Sequence, residues 1–442
     1  MISLRPYQQR AVDAVAAEYR AGHRSVLLQL PTGGGKTATA SAILARSVAR
    51  GRRPLFLAHL DSLIVDTHDR LKAAGLDVGV IQAGTSARAS AAVQVCSLQT
   101  LHARGLHPDA DFLIFDECHR ALAATHRAIL DAYPRAHILG LTATPQRGDG
   151  QPLGDIFGRL VKGPTVRELT AQRHLVAAHV VAPAAPIPGT ALAADPFDAY
   201  REHAPNTRAI AFCATVEHAQ QTARTFQAGG VSAVTLTGET SRTARLQIRA
   251  SLEDGTVRVL VGVGVFLEGF DWPACETIIL ARSFGVCGSF LQAIGRGLRP
   301  SPGKPHCTVI DLRGSVHEHG LPDEDRDWSL TGEAVRRTEK LEAVRRCARC
   351  QAMFRPVRIC PRCGAVQTAE TSRDIPRVLT RTEKLERLEV IPQHVRDRAY
   401  LSRLEGVAKH RMRMPEWRAK AWAHSAFVKK FKREPVAQQG AA

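Results

Sequence analysis

The fold of this chain is decided by Pro31-Thr32-Gly33-Gly34-Gly35-Lys36-Thr37, which lies between an apolar run, Ser25–Leu30, and a helix-like stretch, Thr37–Arg50. A strand, a glycine-rich turn and a helix in this order predict a phosphate-binding loop. The glycines allow backbone N–H groups to approach a triphosphate without Cβ clashes, and the helix N-terminus adds its positive dipole end. We therefore expect Lys36 to reach the β- and γ-phosphates and Thr37 to hold Mg²⁺.

A second stretch, Asp116-Glu117-Cys118-His119, follows the apolar run Phe112–Phe115 about 80 residues later. This position would place the Asp116 carboxylate beside a metal ion and the Glu117 carboxylate beside an attacking water. The two stretches together predict a site that binds and hydrolyses a nucleoside triphosphate.

The charge of the chain is strongly basic and unevenly distributed. The net charge is +18, and residues 341–442 contribute 23 Lys/Arg against 10 Asp/Glu, which is +13 of the total. Such a tail behind a nucleotide site predicts a polyanionic partner, most simply nucleic acid. The alternative interpretation is a solvated surface that only aids solubility.

Strand-like and helix-like stretches alternate along most of the chain, which predicts an α/β fold with mainly parallel sheets. Two α/β halves follow each other without a short sequence repeat, so we expect a structural duplication. An Ala/Pro-rich segment separates the halves. We predict five segments: a first α/β domain over 1–177, a linker over 178–195, a second α/β domain over 196–335, a cysteine-rich module over 340–370 and a basic helical tail over 371–442.

Further short blocks occur in a fixed order. They include Leu4-Arg5-Pro6-Tyr7-Gln8, Leu57-Ala58-His59, Ser97-Leu98-Gln99-Thr100 and Thr142-Ala143-Thr144-Pro145 in the first half, and Glu268-Gly269-Phe270-Asp271 and Gln292-Ala293-Ile294-Gly295-Arg296-Gly297-Leu298-Arg299 in the second. In this order they resemble the motifs of superfamily-2 helicases of the DEAD/DEAH-box type over roughly residues 1–330. Within that superfamily the chain resembles RadD-like bacterial DNA-repair helicases, phage-borne helicases and the motor of type I/III restriction enzymes.

The resemblance implies two tandem RecA-like domains that bind and hydrolyse ATP with Mg²⁺. It implies roles in nucleotide binding for Tyr7, Gln8, Gly33, Gly34, Gly35, Lys36, Thr37, Asp116, Gly269 and Asp271. It implies catalytic roles for Lys36, Glu117, Gln292, Arg296 and Arg299, with the arginines stabilising charge on the γ-phosphate. It implies coupling or nucleic-acid contact for His59, Gln99, Thr100, His119, Thr142, Thr144, Thr215 and Thr237.

Tyr7 and Gln8 have chemistry suited to adenine, since a ring can stack on the base and an amide can both donate to it and accept from it. The family pattern is incomplete elsewhere. Asp66-Thr67 stand where relatives carry a Gln, and Gly262 and Gly264 stand where relatives carry polar residues. These departures bear on DNA contacts more than on ATP hydrolysis.

Four cysteines form two Cys-x-x-Cys pairs, Cys347/Cys350 and Cys360/Cys363. Two such turns can close a tetrahedral shell around Zn²⁺, and we predict a structural zinc ribbon. The alternatives are a redox pair or inert cysteines. The other six cysteines lie mostly in apolar runs and are predicted to be buried thiols.

The tail carries Trp417, Trp422, Phe427 and Phe431 among many basic residues. These rings either stack on unpaired bases or form the core of a small helical bundle. We expect a cytoplasmic, monomeric DNA helicase or translocase without a membrane segment, which acts on single-stranded or branched DNA. A single-strand-binding or repair protein is a further candidate partner, and repair, recombination or phage replication are the candidate roles. An RNA helicase and an ATPase that remodels nucleic acid without separating strands are the alternatives.

Overall fold

The computed structural model describes residues 2–59, 61–85, 90–118, 124–146, 152–183, 186–187, 189–264 and 271–331, together with 345–346, 353–354, 386–388, 400–401, 404–405, 408, 414–431 and 435. The chain divides into two compact units. The first contains the residues up to Leu175, Asp271 and residues 325–331, and the second contains the remaining described residues.

The first unit is a parallel sheet of seven strands covered by helices on both faces. Its strands are β1 (Ser25–Gln29), β2 (Pro54–Ala58), β3 (Val78–Ile81), β4 (Val93–Ser97), β5 (Phe112–Phe115), β6 (His137–Thr142) and β7 (Arg159–Lys162), in the order β3-β4-β2-β5-β6-β1-β7. Its helices are α1 (Pro6–Arg20), α2 (Lys36–Val48), α3 (Asp61–Ala73), α4 (Leu98–Ala103), α5 (Ala124–Ala132) and α6 (Val166–Ala171). The central strands are apolar on both faces, as a sheet between two helix layers requires.

The second unit is built on the same plan. Its main strands are β8 (Ala177–Ala182), β9 (Ala209–Cys213), β10 (Ala233–Leu236), β11 (Val259–Gly262), β12 (Thr277–Ala281) and β13 (His306–Asp311). Its helices are α7 (Pro196–His203), α8 (Val216–Ala228), α9 (Arg242–Glu253), α10 (Cys287–Gly297) and α11 (Ser315–His319). The sheet order is β10-β11-β9-β12-β13-β8, with β16 (Glu386–Leu388) added antiparallel to β8.

Counted from the first strand of each unit, both sheets have the order 3-4-2-5-6-1. The predicted structural duplication and the predicted pair of RecA-like domains are therefore confirmed. The stretch predicted as a linker, 178–195, is different in the structure, because its first residues belong to β8, the second unit's counterpart of β1. The Ala/Pro-rich composition that follows, from Pro183 onward, hid this short apolar strand in the sequence.

The remaining described pieces are short. The residue pairs Arg345–Arg346 (β14) and Met353–Phe354 (β15) form an antiparallel ladder. The last helix, α12 (Glu416–Phe431), buries Phe427 against the ring of Tyr400, whereas Trp417 is 72% exposed. No helix within the described ranges is long and apolar enough to cross a membrane.

Candidate functional site

The predicted motifs of the first unit follow the carboxyl ends of its parallel strands. The phosphate-binding loop follows β1, His59 follows β2, Asp116 follows β5, and Thr142 ends β6. The carboxyl ends of parallel strands lie at one edge of a sheet, where ligands of α/β proteins bind. Topology alone therefore gathers side chains that are more than a hundred residues apart in sequence.

The loop before α2 needs glycine for geometric reasons. Gly33 and Gly35 have φ angles of 82° and 80°, in the left-handed region that β-carbons disfavour. A Cβ on Gly34 would lie 2.9 Å from the Pro31 carbonyl oxygen. Gly35 directly precedes α2, so Lys36 and Thr37 form the first turn of that helix. The predicted strand, glycine turn and helix are thus present, and phosphate binding by this loop stays a prediction.

The start of α1 contacts this loop. The Tyr7 hydroxyl donates a hydrogen bond to the Gly34 carbonyl oxygen at 3.0 Å, and the Gln8 amide donates to the same oxygen at 3.4 Å. In a planar trans peptide the next N–H points the opposite way, so these contacts direct the Gly35 N–H away from α1. The Tyr7 ring is 2% exposed and packs against His174, 5.2 Å between ring centroids. In the structure both residues support the loop; their contact with adenine stays a prediction.

An ion pair joins the two decisive stretches. Lys36 Nζ lies 3.2 Å from Glu117 Oε1, and both side chains are largely buried. Glu117 has a φ of 47°, which is unusual for a residue with a β-carbon and is found mainly where function demands it. The Glu117 backbone N–H also donates to Asp116 Oδ1 at 3.0 Å. Burial, and next the charge of Glu117, raises the pKa of Asp116 to about 6.

The loop after β6 is held by buried polar contacts. The Thr142 hydroxyl donates to the Thr144 carbonyl oxygen at 2.8 Å and accepts from the Thr144 N–H at 3.1 Å. The Gln29 amide at the end of β1 donates to the Ala143 carbonyl oxygen at 3.0 Å. Gln29 thus links the phosphate-loop strand to this loop, although the sequence interpretation did not single it out. The available signal was a Gln inside an otherwise apolar strand.

The structure places some of the other predicted residues of the first unit, and their roles stay predictions. His59 lies close enough to Asp116 to lower the pKa of its carboxyl, against the larger effect of burial. Gln99 and Thr100 lie in the first turn of α4, which Ser97 caps by accepting from the Thr100 N–H. His119 and Gly269 lie outside the described residues, as do Cys347, Cys350, Cys360 and Cys363. Asp271 is described and is exposed.

In the second unit the predicted contact residues Thr215 and Thr237 also follow strands of the sheet. Thr215 caps α8 and accepts from the His218 N–H at 3.1 Å. Thr237 lies in a loop whose carbonyls are bound by the Arg245 guanidinium, including its own at 3.0 Å. Arg245 was not predicted, and its role here is to hold this loop.

Helix α10 carries Gln292 and Arg296 and is followed by Arg299. Gln292 and Arg296 are buried, and Arg299 is half-buried. The helix packs closely on the sheet, because a Cβ on Gly297 would lie 2.4 Å from Cys307 Sγ and 2.7 Å from Ile278 Cγ1. Gly297 therefore allows α10 to lie close to the sheet, and this spacing sets the positions of Arg296 and Arg299.

The first unit fits MgATP on its own chemistry. The glycine cradle accepts no side chain at Gly34, and Lys36 supplies a phosphate-binding ammonium group. The Thr32 hydroxyl is buried and has no hydrogen-bond partner among the residues that the structure describes. No cluster of three or more His, Cys, Asp or Glu in these ranges could enclose a metal ion. Proteins hold Mg²⁺ through few side chains together with phosphate oxygens, and Thr37 and Asp116 carry oxygen atoms of the kind that Mg²⁺ binds.

Two family models match the chain. The model described as "Type III restriction enzyme, res subunit" matches residues 1–147, and "Helicase conserved C-terminal domain" matches residues 194–301. The first match contains the phosphate-binding loop and Glu117, and the second contains Arg296 and Arg299.

Individual relatives agree with these models. A "51.5 kDa protein" of a Lactococcus phage is 28% identical over 388 residues, 82% of this chain and 83% of the relative. The "DNA 3'-5' translocase XPB2" of Sulfurisphaera tokodaii is 26% identical over 380 residues, 71% of this chain and 83% of the relative. The solved structure "ATP-dependent Type ISP restriction-modification enzyme LlaBIII bound to DNA" has a TM-score of 0.54 at 18% identity, and covers 73% of this chain and 29% of that enzyme.

Proposed function

The chain belongs to the superfamily-2 helicases, which hydrolyse ATP, and we propose that it is a motor that moves on or unwinds DNA. The observation that carries the proposal is the contact between Lys36 and Glu117. It brings the phosphate-binding cation and the carboxylate for water activation to 3.2 Å of each other at the edge of one sheet. That pairing is what phosphoryl transfer to water requires.

We propose the following division of labour around the triphosphate. The loop backbone and Lys36 bind the β- and γ-phosphates. Thr37 and Asp116 would hold Mg²⁺, which would neutralise charge on the phosphate oxygens. Glu117 orients and deprotonates the attacking water. Tyr7 and Gln8 hold the loop and contact adenine. These assignments follow from residue chemistry, from the contacts within the first unit and from the family motifs.

The second unit supplies the remaining groups in this proposal. Arg296 and Arg299 place positive charge on the γ-phosphate as hydrolysis proceeds, and Gln292 orients the phosphate or the water. Asp271, which lies in the first unit, and Gly269 bind nucleotide in this proposal by their motif. In this proposal ATP turnover needs groups from both halves of the chain, and a catalytic cycle of this kind can move a strand.

DNA is the partner that we propose. Residues 341–442 contribute +13 of the net charge of +18, and an excess of positive charge suits phosphate binding. One relative is named a DNA translocase and one solved neighbour is described as bound to DNA. The residues proposed to couple nucleotide state to DNA are His59, Gln99, Thr100, His119, Thr142, Thr144, Thr215 and Thr237. Repair, recombination or phage replication is the proposed setting.

Strand displacement on matched substrates tests this proposal. Forked DNA, forked RNA and a DNA triplex are incubated with the wild-type protein and ATP. We expect release of the third strand of the triplex or of one strand of the DNA fork. Release from the RNA fork alone would favour the RNA-helicase alternative. ATP turnover stimulated by nucleic acid without release from any substrate would favour a remodelling ATPase.

We also propose that Cys347, Cys350, Cys360 and Cys363 bind one Zn²⁺ in a structural ribbon. The residue pairs that flank the first Cys-x-x-Cys pair in the sequence, β14 and β15, form an antiparallel ladder, and this supports the proposal. Metal analysis of the purified protein should give about one zinc per chain. Cys347→Ser with Cys350→Ser should lose it, whereas Cys96→Ser, a buried thiol elsewhere, should keep it.

The remaining proposals concern state and location. Five of the six other cysteines are free and buried, which supports a reducing compartment such as the cytoplasm. We propose a monomer, and sedimentation in the presence and absence of DNA would test it. A single-strand-binding or repair protein as a further partner rests on the family resemblance, and co-sedimentation would test that partner.

A further inference from the structure

Lys304 is a buried lysine beside a motif that the proposed function uses. Lys304 is only 7% exposed, although lysine is almost never buried without partners. It ends the turn Ser301-Pro302-Gly303-Lys304, which the Lys304 N–H closes by donating to the Ser301 carbonyl oxygen at 3.1 Å. Proline in the second position and a glycine with a φ of 75° in the third are typical of a type II turn. This turn points the lysine inward.

Two backbone carbonyls bind the buried ammonium group. Lys304 Nζ donates to the Arg299 carbonyl oxygen at 2.8 Å and to the Pro273 carbonyl oxygen at 3.1 Å. No carboxylate forms an ion pair with Lys304 among the salt bridges of the described residues. A charged donor makes stronger hydrogen bonds to carbonyls than a neutral donor does, so this group holds both carbonyls firmly.

The surroundings of Lys304 make its positive charge more costly than in water, which lowers its pKa. Burial is the main reason that the pKa of Lys304 is lowered, and Arg299 lowers it further. Cys275, Cys307 and Glu276 act in the opposite direction. A buried charge is tolerated only where its hydrogen bonds repay the desolvation. Here the ammonium group donates its hydrogen bonds to the main-chain carbonyls of Arg299 and Pro273.

The two carbonyls belong to segments that the proposed function brings to ATP. Arg299 is one of the two proposed γ-phosphate arginines, and Pro273 lies two residues after Asp271 in the other motif of the second half. A second contact fixes the residue before Arg299, because the Val176 N–H donates to the Leu298 carbonyl oxygen at 2.8 Å. Lys304 is thus the side-chain anchor for a backbone that is also held by Val176, the residue before β8.

We propose that Lys304 is a positioning residue for catalysis: its ammonium group ties the main chain at Arg299 to that at Pro273, and so sets where the Arg299 guanidinium is delivered. The inference rests on the proposed function, since it assigns Arg299 to the γ-phosphate. It adds a residue outside the recognised motif and explains why a charged group is kept in an apolar position. Misplacing a catalytic group by about 1 Å costs up to about 100-fold in rate.

A double-mutant cycle tests the proposal. Lys304→Met, Arg299→Ala and the double variant are compared with wild type in DNA-stimulated ATP hydrolysis, at a temperature where each is folded by circular dichroism. We expect Lys304→Met to lower kcat about 10- to 100-fold. We expect KM for ATP to change less than twofold. The double variant should match Arg299→Ala alone, because Lys304 acts through Arg299.

A matched control separates positioning from stability. Arg313 is a buried cation of the same unit that also binds main-chain carbonyls, those of Gly189 and Ala191. Arg313→Met should lower Tm, and its effect on kcat should multiply with that of Arg299→Ala. If Lys304→Met does not fold, Lys304→Gln, which keeps two N–H donors and loses the charge, takes its place with the same expectations.

The outcomes are distinct. Wild-type kcat in a folded Lys304 variant, or a Lys304 effect that multiplies with that of Arg299→Ala, would overturn the inference. Wild-type kcat in Arg299→Ala would instead show that the assignment of Arg299 to the γ-phosphate is wrong. A lowered kcat in Lys304→Met that disappears in the Arg299→Ala background would support both.

Discussion

The ammonium group of Lys36 and the carboxylate of Glu117 form an ion pair, with 3.2 Å between Nζ and Oε1. One residue starts α2 and the other follows β5, so only the folded sheet brings them together. The two groups have opposite consequences for a triphosphate. Lys36 attracts the phosphate oxygens, whereas Glu117 repels them and competes for the same ammonium group.

This contact predicts that substitutions of the two residues have different effects on ATP binding. Lys36→Ala should weaken ATP binding strongly, because the loop loses its cation. Glu117→Gln should bind ATP at least as tightly as wild type, because Lys36 is released from a competing carboxylate. Fluorescence titration with a labelled ATP analogue measures both. Equal weakening of binding by the two substitutions would contradict the proposed roles.

The hydrogen bond from Tyr7 to the phosphate-binding loop predicts a specific effect on nucleotide affinity. Tyr7→Phe keeps the ring and removes the contact with the Gly34 carbonyl oxygen, so KM for ATP should rise about 5-fold, the equivalent of one neutral hydrogen bond of about 1 kcal/mol. Tyr19→Phe is a matched control, since Tyr19 donates to the Ile138 carbonyl oxygen away from the loop. The control should lose comparable thermal stability with KM unchanged. A similar KM for both variants would argue against a loop-supporting role.

We predict that the hydrogen bonds of the Thr142 hydroxyl are needed for DNA to stimulate ATP hydrolysis. Thr142→Val removes both hydrogen bonds to Thr144 and leaves its N–H and carbonyl buried. We expect a smaller stimulation of ATP hydrolysis by DNA, with basal hydrolysis changed less. Thr277→Val offers a comparison, because Thr277 is a buried strand threonine with a side-chain contact to Thr207 in the second unit. Identical losses of stimulation in both variants would point to general destabilisation.

Burial of His218 predicts a pH dependence of stability. Burial lowers the pKa of His218 from 6.5 to about 4, and its Nδ1 lies 3.3 Å from the Ala214 N–H. Between these two pH values His218 binds a proton more readily in the unfolded chain than in the folded chain. The free energy of unfolding should therefore fall as the pH falls from about 6.5 towards 4.

His218→Asn, which keeps an acceptor for the Ala214 N–H, does not titrate. The difference in Tm between wild type and this variant should therefore narrow as the pH is lowered through that window. A constant difference from pH 7 to pH 4.5 would show that His218 does not titrate as proposed.

Much of the fold could be predicted because apolar runs and turn residues are local signals. The apolar runs Ser25–Leu30 and Phe112–Phe115 contain the strands β1 and β5, and the helix-like stretch Thr37–Arg50 contains most of α2. Strands β7 and β8 were missed. Both are edge-proximal segments, one with exposed charged ends and one beside an Ala/Pro-rich run.

Site residues could be predicted where a sequence motif follows the carboxyl end of a strand. They were harder to predict where a side chain can either bind the ligand or hold the backbone. Gln8 has an amide suited to adenine, yet the same amide reaches the Gly34 carbonyl, which no sequence spacing reveals. Gln29 and Lys304 act through backbone carbonyls that are distant in sequence. Such contacts depend on the packed structure, because a carbonyl acceptor carries no residue signature.

ATP hydrolysis by wild type and Glu117→Gln, measured without nucleic acid and with single-stranded DNA, duplex DNA or RNA, tests the central claim most directly. We predict that DNA stimulates the wild type and that Glu117→Gln lowers the stimulated rate about 100-fold or more. Stimulation by RNA alone would contradict the DNA assignment. Turnover that is indifferent to every nucleic acid, or unchanged in Glu117→Gln, would contradict the account of a DNA-coupled motor.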